Sequence, residues 1–147
     1  MIKLLGKVPD EVIVACSGGP DSMAALNFLD NGKRNVQVAH FDHGTEHGDS
    51  ARQFVIDYCN TKKIKYSLGS ISRKRLPSES REEYWRNERY EFFKGLGKPV
   101  VTAHHLDDVA EWWVFSSLHG ESKLMPYRNE EVIRPFLMTS KQELISW

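Results

Sequence analysis

Residues Glu11 to Ser22 read EVIVACSGGPDS, and this stretch decides the fold. Glu11 to Ala15 is a short apolar run rich in β-branched side chains, the pattern of a strand buried on both faces. A turn follows at Ser17-Gly18-Gly19-Pro20-Asp21-Ser22. From Ser22 to Leu29 apolar residues recur at Met23, Leu26 and Leu29 with Ala24 and Ala25 between them, so a helix leaves the turn directly and stops near Asn31-Gly32. The two glycines let backbone approach a ligand closely, and Pro20 suits a first helical position, where no N–H is needed. The free N–H groups then point outward. With the Ser17 and Ser22 hydroxyls beside them and the positive end of the helix dipole behind, the turn is an anion cradle of phosphate size. It matches neither G-x-x-x-x-G-K-S/T nor G-x-G-x-x-G.

The same alternation continues outward. Val36 to Phe41 reads as a strand, and Ala51, Phe54, Val55, Tyr58 and Cys59 fall on one helical face. Ile64 to Leu68 makes a third strand. Ser80 and Glu83 form a capping box for a helix whose Tyr84, Trp85, Phe92, Phe93 and Leu96 face inward. Pro99 to Ala103 is a fourth strand, a helix runs from about Asp107 to Leu118, and a loop holding Gly120 and Pro126 leads to a short strand at Val132-Ile133. Ser140 caps a last helix that reaches Trp147. Strands alternating with helices predict an α/β fold: a doubly wound, mostly parallel sheet with helices on both faces. Ligands of such sheets bind at the carboxyl ends of the strands, near the switch point.

Length and composition agree. The 147 residues suit a single domain over 1–147, and 40% hydrophobic content is enough for a core. Twenty basic residues balance twenty acidic ones, so any nucleic-acid contact is local rather than driven by net charge. No apolar run nears the ~20 residues of a membrane span, and a cytoplasmic location is expected. Cys16 and Cys59 are expected to be buried thiols, and His40, inside a strand, a core histidine. Trp112-Trp113 is expected to pack in the core. Arg73, Lys74, Arg75 and Pro77 lie in the one loose stretch, which reads either as a solvated loop or as a mobile basic lid over phosphate or RNA.

The motifs, in order, resemble one family. SGGPDS after a strand resembles the S-G-G-x-D-S loop of the N-type ATP pyrophosphatases, the PP-loop superfamily, which split ATP between its α and β phosphates and adenylate a substrate. Ala103 to Glu111 (AHHLDDVAE) is similar to the H-x-x-D-D-x-x-E-T segment of the tRNA(Ile)-lysidine synthetases and their thiocytidine-forming relatives. Glu82 to Tyr90 resembles that group's E-x-x-A-R-x-x-R-Y, with Trp85 where Ala is usual. Asp42-His43-Gly44 matches its H-G turn, and Ile133-Arg134-Pro135-Phe136-Leu137 its I-R-P-L-L. Trp112 stands at the family's Thr position. The thiocytidine enzymes use cysteine pairs that this sequence lacks, so the lysidine branch is the more similar.

The resemblance implies a site and a reaction. ATP and Mg²⁺ are the expected cofactors, with Ser17, Gly18, Gly19, Pro20, Asp21 and Ser22 around the pyrophosphate and Phe41 and Asp42 near the adenosine. Arg86 and Arg89 point to ATP or RNA phosphate, with ion pairs to Glu82, Glu83 or Glu88 as the alternative, and His104 and His105 close the nucleotide site. Asp107, Asp108 and Glu111 lie three and four residues apart, a spacing that gathers carboxylates on one helix face. Acids beside a phosphate loop require a cation between them, either Mg²⁺ or a substrate ammonium. The resemblance assigns Asp108 and Glu111 to the incoming lysine, Asp21 and Asp107 to the metal, and catalytic roles to Asp21, Asp108, Glu111 and His105. The substrates implied are tRNA, specifically tRNA(Ile), and free lysine, giving lysidine at the wobble cytidine with release of AMP and pyrophosphate. The family's C-terminal tRNA-binding region lies beyond the segments matched here, so the sequence reads as a catalytic fragment, as a minimal homologue that borrows that region from a partner subunit or second copy, or as a domain that no longer modifies tRNA. Two other readings stand beside this one: a nucleotide-binding module without independent tRNA modification, and a metal-dependent phosphohydrolase built on the His/Asp cluster.

Overall fold

The computed structural model describes residues 1–45 and 47–147. Its elements are β1 (Glu11–Ala15), α1 (Pro20–Asn31), β2 (Asn35–Asp42), α2 (Gly48–Lys62), β3 (Tyr66–Ser70) and α3 (Arg81–Lys94). β4 (Val100–Val101), α4 (Leu106–Leu118), β5 (Arg128–Asn129), β6 (Val132–Ile133) and α5 (Lys141–Ile145) complete the chain. The sheet order is β3-β2-β1-β4-β6-β5, parallel throughout except for β5, which runs antiparallel to β6.

The apolar run of β1 is central because both its faces are covered. Val12 and Val14 point into a core shared with Ala25, Leu26 and Leu29 of α1, Val55 and Cys59 of α2 and Leu144 of α5. Ile13 points the other way, into a core with Ala39, Val100, Val132 and Phe93 of α3. Leu26 and Leu29 are fully buried, each contributing about 2 kcal/mol through apolar surface removed from water. Helices therefore lie on both faces, as the strand–helix alternation predicts. The sheet reverses its winding between β1 and β4, and that point sets where a crevice opens.

Several local expectations shift. The third strand begins at Tyr66 rather than Ile64, because Ile64 closes the turn that caps α2. Lys63 turns left-handed (φ 58°) there, and the Ile64 N–H donates to the Cys59 carbonyl at 2.8 Å. Phe54, expected on the inner face of α2, is exposed. Trp112 and Trp113 are not core residues: α4 buries only Ser116, and Trp112, Trp113, Val114, Phe115 and Leu118 all face solvent. α5 ends at Ile145, and Trp147 folds back onto Phe28, its Nε1–H donating to Asn27 Oδ1 at 2.8 Å. β5 was not expected from sequence; Glu130 turns its hairpin with a φ of 55°.

Candidate functional site

The phosphate-sized turn sits where β1 hands over to α1. Gly19 precedes the helix with extended backbone and Pro20 fills its first turn. The Ser22 hydroxyl, buried, accepts the Ser17 N–H at 3.1 Å and donates to the Gly19 carbonyl at 3.2 Å, while the Ser17 hydroxyl accepts the Gly19 N–H at 3.3 Å. The two serine oxygens lie 3.3 Å apart. Both hydroxyls thus shape the turn itself.

A cavity of about 290 Å³ opens beside the turn, at the carboxyl ends of β1, β2 and β4. Its polar lining comes from Ser17, Asp21 and Ser22 of the turn, from His43, and from Arg89, Tyr90, Thr102, His104 and Asp108, with Phe41, Phe93 and small strand residues between them. Gly18, Gly19 and Pro20 shape the turn behind this lining. Asp42 is turned away, its Oδ1 accepting the Gly44 N–H at 2.8 Å.

His105 joins the acidic residues of the two halves. Its buried ring places Nε2 3.1 Å from Asp21 Oδ2 and Nδ1 3.4 Å from Asp108 Oδ2, and its N–H donates to that Asp108 oxygen at 2.9 Å. Asp21 and Asp108 therefore face one cavity from opposite helices. Asp107 does not join them: it is exposed, and its Oδ1 accepts the Lys141 N–H at the start of α5. Glu111 is also exposed and does not line the cavity, so the expected Asp108–Glu111 pair is not assembled there.

Among the described residues, Arg89 supplies the one cation of the cavity lining. Arg89 is largely buried, and burial, with Arg86 and Arg134 nearby, pulls its pKa below the usual guanidinium range. His104 is pushed down to about 4, by burial first and then by Arg134, and its Nδ1 lies 2.7 Å from Thr102 Oγ1. Its imidazole is therefore neutral at pH 7. His43 is lowered too, by burial and then Arg89. Arg86 is exposed outside the cavity, over the Tyr90 ring. Neither Arg86 nor Arg89 pairs with Glu82, Glu83 or Glu88. Glu88 instead is buried under residues 72 and 73, accepting both their N–H groups, and Arg73 also grips Glu79 at 2.7 Å. The basic stretch is a stapled loop. His40 is a core residue, as expected, with Nδ1 2.8 Å from the Cys16 carbonyl. Burial raises the Cys16 and Cys59 thiols, keeping both protonated.

Residues 2–147 match the family model described as PP-loop domain. The chain belongs to the PP-loop family. It is 33% identical to the tRNA(Ile)-lysidine synthase of Enterococcus faecalis, over 90% of this chain and 32% of that protein. It is also 33% identical to the bifunctional protein TilS/HprT of Listeria monocytogenes, over 94% of this chain and 24% of that one. The chain thus spans a quarter to a third of the length of these relatives. Among solved structures, the U34-tRNA thiolase NcsA of Methanococcus maripaludis superposes with a TM-score of 0.68 at 15% identity, covering 92% of this chain and 55% of that one. The NH3-dependent NAD synthetase of Campylobacter jejuni gives 0.58 at 14% identity, covering 95% and 62%. These likenesses establish the mostly parallel α/β fold.

Within this PP-loop site, the residues that composition and spacing did not single out are Tyr90, Thr102 and Arg134. Tyr90 and Arg134 were legible only as letters of R-x-x-R-Y and I-R-P. One buried oxygen, Asp21 Oδ1, has no hydrogen-bond partner. A carboxylate oxygen left bare beside an anion cradle fits a hard cation such as Mg²⁺. Among the described residues no group of three or more His, Cys, Asp or Glu side chains could hold a metal alone, so Mg²⁺ at Asp21 would draw its other ligands from phosphate oxygens and water.

Proposed function

We propose that the chain is the adenylating domain of a tRNA-modifying ligase. It activates C2 of the tRNA(Ile) wobble cytidine with ATP and joins lysine to it, giving lysidine, AMP and pyrophosphate. One observation carries this reading: a PP-loop turn, the Arg89 guanidinium and the neutral polar groups of Tyr90 and His104 line one cavity at the switch point. In the serine-locked turn the Ser22 and Ser17 hydroxyls take the N–H groups of Ser17 and Gly19, which leaves the pyrophosphate to the other N–H groups of the turn, and Arg89 lines the same cavity for the charge that develops at the α phosphorus. Mg²⁺, held by Asp21, would neutralise phosphate charge.

The C2 oxygen attacks the α phosphorus, forming the O–P bond as the α–β bridge breaks and pyrophosphate leaves. The lysine amine then attacks C2, and AMP departs with the C–O bond electrons. The amine sheds a proton to become the nucleophile, and the Asp108 carboxylate, which lines the cavity, is placed to take it. The location suited to this chemistry is the cytoplasm; no described helix is long and apolar enough to cross a membrane.

Glu111 lies outside the cavity lining, which favours a second reading: a nucleotide-binding module whose amine site is completed by a partner subunit or second copy. Mass spectrometry of tRNA(Ile) nucleosides after incubation with protein, ATP and lysine separates the two. Lysidine formed by this chain, and abolished by Asp21→Ala, supports the ligase. Saturable ATP binding with no modified nucleoside supports the module.

A further inference from the structure

Tyr90 is the meeting point of three arginines. Arg86 and Arg89 lie over its ring at 5.5 and 5.8 Å from the centroid, and Arg134 donates from Nη2 to its hydroxyl at 3.0 Å. Arg134 is buried, and its Nη1 donates to the Pro126 carbonyl at 2.9 Å while its Nε has no partner. Among the described residues none of the three pairs with a carboxylate. Holding a buried guanidinium without a counter-ion costs several kcal/mol, a cost that proteins accept where a ligand supplies the missing charge. The trio runs from the interior at Arg134, through the cavity wall at Arg89, to the surface at Arg86.

We propose that Arg134 is a positioning residue of the nucleotide site: by gripping the Tyr90 hydroxyl it fixes the ring against which Arg89 is ordered, and its own charge completes a wall that binds phosphate. This rests on the proposed ATP-binding role of the cavity. The element order supplies the mechanism. Tyr90 comes from α3 and Arg134 from just after β6, on opposite sides of β4 in the chain, so the hydrogen bond ties the α3 wall to the sheet beside the switch point. Tyr90 also meets Phe93 edge-to-face, which fixes the ring from its other side. A ring held at its hydroxyl and packed on Phe93 gives Arg89, which lines the cavity, a fixed surface to lie against. Arg134 also sets the charge felt by His104, which faces Arg134, Arg89, Asp108 and His105.

The test measures MgATP affinity by calorimetry for the wild-type chain, Tyr90→Phe, Arg134→Lys, Arg134→Met and the Tyr90→Phe/Arg134→Met double variant. Loss of one hydrogen bond of this kind weakens binding about fivefold. Tyr90→Phe and Arg134→Lys should each show that loss. Arg134→Met should lose about tenfold or more, and its affinity should fall less steeply with added salt. The double variant should be no weaker than Arg134→Met, because both act through one contact. Folded variants with unchanged affinity, or a double variant whose loss is the product of the single losses, would overturn the proposal. NMR titration of His104 in the nucleotide-free protein reads the charge separately. Arg134→Met should move its midpoint up toward the ordinary histidine value and Tyr90→Phe should not; no movement in Arg134→Met overturns the inference. Wild-type protein that binds no ATP would remove the proposed function and the inference with it; wild-type protein that binds ATP while the folded variants bind it equally well would overturn the inference alone.

Discussion

Gly18 has a φ of +90°, and a Cβ there would lie 3.2 Å from both the Cβ and the carbonyl oxygen of Ala51 on α2. Gly19 has ordinary extended backbone, and its added Cβ would meet only Ser17 Oγ at 3.4 Å. Gly18→Ala should therefore destabilise by about 2 kcal/mol and Gly19→Ala by under about 0.5 kcal/mol, read from urea midpoints. The sequence marks both as turn glycines beside a ligand; that Gly18 also clears a helix 33 positions later is a long-range fact with no local signal. His104 gives a second residue-scale expectation. Its proton is bound in the unfolded chain below the ordinary histidine value of 6.5 and in the folded one only below about 4. Between those values the unfolded state takes up a proton that the native state refuses, so this contribution to stability is lost as pH falls. The loss should reach roughly 3 kcal/mol by pH 4, and His104→Gln should flatten that part of the stability–pH curve.

At the scale of elements, α4 is the clearest departure from periodicity. Its run Trp112-Trp113-Val114-Phe115 is apolar round a full turn, a pattern that ordinarily marks a buried helix, yet only Ser116 is buried. Spacing reveals which residues share a face but not whether another element arrives to cover it. Phe115 and Leu118 are 54% and 80% exposed, so Phe115→Ser and Leu118→Ser should each change stability by under about 0.5 kcal/mol, where core truncations would cost about 3 kcal/mol. The 71–80 loop shows the converse. Its basic residues look solvated in sequence, but Glu88, eight residues into α3, draws the loop down through the N–H groups of Ser72 and Arg73. Those hydrogen bonds hold the Glu88 carboxyl below its ordinary range. Glu88→Gln should loosen the loop, and limited trypsinolysis after Lys74 and Arg75 should accelerate severalfold; unchanged cleavage would show that the staple is not what holds it.

For the whole molecule, the strand–turn–helix units were legible because each is encoded within about 30 residues. The cavity was legible only in part, because it is closed by pairs far apart in the chain: Asp21 with His105, and Tyr90 with Arg134. Asp21, His104, Asp108 and Arg89, which the motif resemblance assigns to one site, all line the cavity. It could not show that Asp107 serves α5 instead, since adjacent carboxylates look alike until the helix phase is fixed. What unites these residues is one claim, that the 17–22 turn and the arginine wall hold ATP for cleavage between its α and β phosphates. The direct measurement is product identity from ATP labelled at the α or γ phosphorus, with tRNA(Ile) and lysine present. The account predicts labelled AMP and labelled pyrophosphate, both lost in Ser22→Ala; ADP with inorganic phosphate, or turnover that survives Ser22→Ala, would contradict it.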